Sequence, residues 1–130
     1  MARTSYFPVF LTLLLLRPLG GAAIIIPVVH ITSRMPENIA PVNLNCKKAD
    51  GSIEVENYPL AADQTYEWIA KDNEDSSCRI LWGKKIGSID AYVVARDSGY
   101  PDTYWVVEDD GFYLSHDNTN FAKQGVWLSG

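Results

Sequence analysis

Tyr104-Trp105-Val106-Val107-Glu108-Asp109-Asp110-Gly111-Phe112-Tyr113-Leu114-Ser115 decides the fold of this 130-residue chain. It reads as one β-hairpin. Aromatic and β-branched residues fill both arms, and Gly111, after the acidic run, accepts a positive φ without a Cβ clash. The turn is expected between Asp109 and Gly111. Strand side chains alternate with period two, so Trp105 and Val107 share one face while Tyr104 and Val106 share the other. Neither face is polar. That pattern belongs to a strand inside a sheet, with one face in a core and the other partly covered.

Working outward, turn signals recur about every 8 to 12 residues, the rhythm of an all-β sandwich or barrel, and helical periodicity is hard to find. The expected strands are Val28 to Ser33, Val42 to Lys47, Ile53 to Asn57, Thr65 to Ala70, Cys78 to Trp82, Ser88 to Arg96, Tyr104 to Glu108 and Phe112 to Ser115. The fold class is therefore all-β, a two-sheet β-sandwich of about eight short antiparallel strands. Alternation gives each strand a face and yields an inward set of Ile31, Leu44, Ile53, Val55, Trp68, Ile80, Trp82, Trp105 and Val107. The end, His116 to Gly130, is polar until Val126-Trp127-Leu128. It either docks through Trp127 or frays.

The chain opens with Arg3, an apolar run from Tyr6 to Leu16, and the small residues Gly20-Gly21-Ala22-Ala23. These are the parts of a secretory signal peptide, here residues 1–23 with cleavage after Ala23. The run is far shorter than the roughly 20 apolar residues of a spanning helix, so no stable membrane insertion is expected after cleavage. One domain, 24–130, remains. Removing Arg3 and Arg17 with no acidic residue moves the net charge from −5 to −7. A chain of this length buries roughly 60 to 70% of its unfolded surface, enough for one core. An acidic balance without a basic patch excludes nucleic acid as partner. The expected protein is a secreted, extracellular monomer.

Candidate chemistry is sparse. His30 and His116 are the two histidines, and a pair of imidazoles can exchange a proton near neutral pH. No neighbouring residues define a site around either one, so packed or solvated histidines are expected. Ser115-His116-Asp117 spells a triad only in order, because adjacent residues on an extended chain point in opposite directions. Acidic residues gather at Asp72-Asn73-Glu74-Asp75 and Glu108-Asp109-Asp110. Neither follows the calcium-loop spacing. Tyr66, Trp68, Trp82, Tyr104, Trp105 and Tyr113 are candidates for a sugar-stacking platform, but aromatics at period two more often form core. No catalytic, cofactor or metal residue is assigned. What remains is recognition carried by loops on a rigid scaffold. Asp72, Asn73, Glu74 and Asp75, with the tip Glu108, Asp109 and Asp110, are the candidate contacts, suited to steering a basic partner.

Five pieces in order also resemble the plant self-incompatibility proteins, the S-protein homologues. Val28-Val29-His30-Ile31-Thr32-Ser33 resembles their opening strand, Leu44-Asn45-Cys46-Lys47-Lys48 the segment of their first cysteine, and Tyr66-Glu67-Trp68 their "y-x-W". Cys78-Arg79-Ile80-Leu81-Trp82-Gly83 resembles their "C-x-f-x-W" strand, and Trp105 to Leu114 their closing "W-x-v-x-x-D-G" hairpin. The resemblance implies a secreted ligand without enzymatic activity, read by a membrane receptor or another extracellular protein in cell-cell signalling of the pollen-pistil kind. The alternative is a cell-wall enzyme or inhibitor, or a carbohydrate-binding module. The chain departs from the family in two ways. No Asn stands in a glycosylation sequon, and Gly99-Tyr100-Pro101-Asp102-Thr103 stands where members typically carry two further cysteines.

Cys46 and Cys78 are the only cysteines, in a chain expected to meet an oxidising compartment. Both missing cysteines come from one short region, so the resemblance implies loss of one bridge and a bond between Cys46 and Cys78. If the family pairs each early cysteine with a late one, both are orphans instead.

Overall fold

The computed structural model describes residues 25–70 and 73–129, so the expected signal peptide at 1–23 and the candidate contact Asp72 lie outside the described residues. Ten strands and one helical turn follow in order: β1 (Val28–Ser33), β2 (Val42–Lys48), β3 (Ile53–Leu60), β4 (Thr65–Ile69), β5 (Ser76–Trp82), β6 (Lys85–Tyr92), α1 (Val94–Asp97), β7 (Asp102–Glu108), β8 (Gly111–Ser115), β9 (Ala122–Gly125) and β10 (Leu128–Ser129). They form two five-stranded sheets, β4-β1-β7-β8-β9 and β10-β6-β5-β2-β3. The sandwich is all-β as expected, with ten strands in place of about eight. One pairing is parallel, β1 with β7. Period-two patterning specifies faces and not directions, so the sequence held no sign of it.

The hairpin sits at the centre of its sheet. Trp105 opposes Leu114 and Val107 opposes Phe112, with Asp109 and Asp110 forming the turn. Gly111 takes the positive φ, 148°. Trp105, Val107, Phe112 and Leu114 face inward and meet Leu44, Ile80 and Ile89 of the other sheet in one buried core. The outward Val106 is also buried, which matches a strand covered on both sides. Gly87 of β6 lies against the Phe112 ring of the facing sheet, leaving no room for a Cβ.

Both open sides of the sandwich are closed by aromatic rings. At the β3/β4 side Tyr58, Tyr66 and Trp68 follow one another with ring centroids 5.0 and 6.0 Å apart. At the β9/β10 side the Trp127 ring lies 5.3 Å from Trp82 and 4.8 Å from Phe112. The Trp127 indole N–H also donates to the Glu108 carbonyl at 2.8 Å. This docks the C-terminal segment, whose state the sequence left open.

Two expectations are corrected. Ile53 is 61% exposed, because bulges in the β2–β3 ladder set Val55 opposite inward Cys46 and Ile53 opposite outward Lys47. A bulge inserts one residue and reverses the alternation from that point. The expected strand from Ser88 to Arg96 ends at Tyr92 and passes into α1. Carboxylates cause the break: Asp97 accepts the Val93 N–H and Asp75 accepts the Val94 N–H, both at 2.8 Å. Trp82 is only half-buried, packed on the rim of the core.

Candidate functional site

The register separates the two acidic stretches. Val28, at the start of β1, pairs with Ile69 at the end of β4 and with Asp102 at the start of β7. The 73–75 loop therefore lies at the end of the sandwich where β7 begins, and the 109–110 turn at the end where β7 stops. Seven residues of extended strand put about 20 Å between them. They do not form one surface.

At the 73–75 end, side chains tie neighbouring loops together. Glu74 Oε2 accepts the Asp50 N–H at 2.9 Å. The Ala49 N–H donates to the Asp75 carbonyl at 2.9 Å, and the Asp75 carboxylate holds the start of α1. Asp50 in turn takes the Ser52 N–H and hydroxyl, and these bonds from Ser52 lower its pKa. Asn73 takes a positive φ of 51°, a conformation Asn tolerates better than most residues. Loops cross-tied in this way lose little freedom on binding, which favours affinity.

The opposite tip is more local. Asp110 accepts from the Tyr113 hydroxyl at 2.9 and 3.0 Å, and Lys123 Nζ lies 3.8 Å away. The carboxylate so placed raises the Tyr113 phenol above its ordinary range. Of the tip's three acidic residues, Asp110 is thus engaged by its own hairpin.

Each histidine is held by carboxylates, which the sequence gave no sign of. His30 Nδ1 lies 2.7 Å from Glu67 and Nε2 2.8 Å from Asp102, with the ring stacked on Tyr104 at 4.5 Å. Both ring nitrogens thus meet carboxylates of neighbouring strands, an arrangement that links β4, β1 and β7. His116 Nε2 lies 2.7 Å from Asp97, and its ring stacks on Tyr100 at 3.9 Å. Asp97 is fully buried and also accepts two bonds from Arg96 at 2.7 and 2.8 Å. Burial pushes its carboxyl up, but the bonds from Arg96, Val93 and His116 outweigh that and lower it. Asp97 was missed in the sequence, where the nearest signal was an Asp-Ser-Gly turn following what read as a strand.

The aromatic residues do not gather into one stacking face. Trp68 and Trp105 are buried in the core and Tyr66 packs against it, whereas Tyr104 and Tyr113 lie on the outer face of the sheet, as β7 and β8 alternation requires. Cys46 and Cys78 stand directly opposite each other on β2 and β5. They are bonded, with Cα atoms 4.0 Å apart. The bridge staples two strands of one sheet, and neither cysteine is an orphan. Among the described residues no group of three His, Cys, Asp or Glu side chains is placed to hold a metal ion.

Two packed sheets joined by an apolar core, with one bridge within a sheet, define a small disulfide-bonded β-sandwich. The sequence model of the plant self-incompatibility protein S1 family matches residues 28–127. The chain belongs to that family. A solved structure of a self-incompatibility protein homologue, described as one of a widespread family of small, highly stable, secreted proteins from plants, superposes with a TM-score of 0.59. It is 13% identical, over 81% of this chain and 96% of its own. That likeness is one of fold. No curated protein matches the chain.

Proposed function

We propose that this protein is a secreted extracellular ligand, without enzymatic activity, that binds a membrane receptor or another extracellular protein in cell-cell signalling. The observation that carries the reading is the match to the self-incompatibility family over nearly the whole described chain. The structure supports it with loops that are rigid and acidic. Asp50, Glu74 and Asp75 converge at one end, next to the exposed Asp90 of β6. Carboxylates of one sign on a fixed scaffold attract a basic partner and make its association sensitive to salt. The 73–75 end is the principal contact and the 108–110 tip a separate one. The doubly engaged imidazole of His30 favours this over acid-base catalysis.

The test is binding of labelled protein to intact cells and to isolated membranes at low and physiological salt. Saturable binding that weakens with salt, and falls at least several-fold in a Glu74→Gln, Asp75→Asn variant, is expected. Turnover of RNA, polysaccharide or peptide substrates that is abolished by His30→Ala or His116→Ala would overturn it.

A further inference from the structure

The outer face of the β4-β1-β7-β8-β9 sheet carries two depressions, of about 410 and 550 Å3, that share Arg34, Val106 and Asn118 and so form one groove. Its floor is a single row across four strands, because Thr32 of β1 pairs with Thr65 of β4 and Val106 of β7, and Val106 with Tyr113 of β8. Three strand spacings make that row about 14 Å long. One wall is the loop that carries Asn118, Thr119 and Phe121. Under it Val106, although on the outer face, is only 8% exposed. The wall is pre-formed. Asp117 Oδ1 accepts the Thr119 and Asn120 N–H groups at 2.8 Å, and Ser115 Oγ accepts the Asn118 N–H at 2.9 Å. A loop wound in this way loses little freedom when a ligand enters.

The lining defines the ligand. β1 and β7 are paired on both sides, so the floor has no free main-chain edge and cannot take up a peptide as a further strand. Recognition falls to side chains, and these offer both senses of hydrogen bond. The Thr32 and Thr65 hydroxyls, 2.7 Å apart, keep one O–H and several lone pairs between them for a ligand. At the rim the Arg34 guanidinium donates and the Glu108 carboxylate accepts. Val106 and the half-buried Phe121 supply apolar surface beside these groups. Charge narrows the choice further. Arg34, common to both depressions, disfavours a cation, and the carboxylates of Asp63, Glu67 and Glu108 disfavour an anion. A neutral chain of rings meets all of these conditions when its hydroxyls both donate and accept and its ring faces carry only C–H groups. We propose that this groove binds a neutral oligosaccharide laid across β4, β1, β7 and β8, with Arg34, Glu108 and the threonine pair bonding its hydroxyls and Phe121 against a ring face. The site is separate from the 73–75 end and gives the protein a second kind of ligand.

The isotope-labelled secreted protein is titrated with cellohexaose, xylohexaose, mannohexaose and maltohexaose, with glucose, and with hexagalacturonate and hexalysine as charged controls, while backbone amide shifts are followed. At least one neutral hexasaccharide is expected to produce saturable shifts centred on Thr32, Thr65, Val106, Tyr113 and Phe121. Glucose and both charged oligomers are expected to bind at least tenfold more weakly. Arg34→Gln, at an exposed position, and Phe121→Ala, with its melting temperature checked, are each expected to weaken the best sugar at least threefold. Glu74→Gln, Asp75→Asn is expected to leave sugar affinity unchanged, because that end lies outside the groove. The proposal is overturned if no neutral hexasaccharide gives saturable shifts at about 10 mM, a concentration that reveals even millimolar affinity. It is equally overturned by shifts centred on another face, by hexagalacturonate or hexalysine binding as well as the best neutral sugar, or by unchanged affinity in Arg34→Gln. Cell-surface binding that persists in Arg34→Gln while sugar binding falls would show the groove and the protein-partner contact to be independent, as the proposal requires.

Discussion

The Trp105 indole N–H donates to the Ala91 carbonyl at 2.9 Å across the interior of the sandwich. Trp105 belongs to β7 in one sheet and Ala91 to β6 in the other, so a buried side chain supplies a polar tie between the layers inside the core. Arg96 lies over the same ring at 5.5 Å, connecting the tie to the buried Asp97 network. Trp105→Phe keeps an aromatic ring but strands the carbonyl, and an unpaired buried acceptor costs about 1 to 3 kcal/mol before any cavity is counted. Urea unfolding should show a loss of at least that size. A loss under about 0.5 kcal/mol, the level of an ordinary surface substitution, would mean the tie contributes nothing.

Asp97 predicts how the protein responds to acid. Its carboxyl is lowered in the folded state, so the folded form binds fewer protons than the unfolded one near the ordinary carboxylate pKa. The resulting stability is fully present above about pH 4 and is lost as pH falls through the folded value. Asp50 and Asp117 are lowered too, so the decisive comparison is with Asp97→Asn. That variant should be less stable by about 3 to 5 kcal/mol at neutral pH, the cost of removing one partner from a buried ionic network. Its stability should fall less steeply than the native protein's below pH 4. Parallel slopes would show that Asp97 is not the group being titrated.

How far the sequence could be read follows from what alternation encodes. It assigned the faces of Trp105, Val107, Ile31, Leu44, Trp68 and Ile80 correctly, because each lies in an uninterrupted ladder. It failed at Ile53, where a bulge reverses the faces, and at Val94 to Asp97, where the carboxylates of Asp97, within the turn itself, and of the more distant Asp75 capture backbone N–H groups and turn a β-branched stretch into a helical turn. The acidic loops were legible as exposed and charged. Their placement at opposite ends was not, since it depends on β1 pairing in parallel with β7. The pairs His30 with Asp102 and Asp97 with His116 join residues 72 and 19 positions apart, and no local pattern announces either.

The bridge between Cys46 and Cys78 closes a loop with sequence separation 32. In the chain-entropy account such a closure stabilises by about 3 to 4 kcal/mol. Cys46→Ala, Cys78→Ala should lose about that much and keep the same β-rich circular dichroism, because the bridge joins strands already paired in one ladder. A count of free thiols on the unreduced secreted protein should give none. Two thiols per chain would contradict the bridge.

Gly87 has no space for a side chain because the Phe112 ring of the facing sheet fills it. Gly87→Ala should therefore be destabilising by about 1 to 3 kcal/mol through overpacking. Shortening the opposing ring should relieve it, so that Gly87→Ala combined with Phe112→Leu is more stable than the sum of the single losses allows. Strict additivity would place the clash elsewhere.

The separation of the two acidic ends makes a prediction about binding that no single-surface account shares. Glu74 and Asp75 sit where β7 begins and Asp109 and Asp110 where it stops, and sites this far apart without shared partners usually act additively. If the 73–75 end is the principal contact, Glu74→Gln with Asp75→Asn should slow association and flatten its dependence on salt, since rim charges act mainly on the encounter rate. Asp109→Asn with Asp110→Asn should change the rate less. The four-fold variant should equal the sum of the two pairs in free energy. Association rates measured on isolated membranes across a salt series decide the matter. A larger effect from the 109–110 pair would move the contact to the hairpin tip, and strong coupling between the pairs would require a partner that spans both ends.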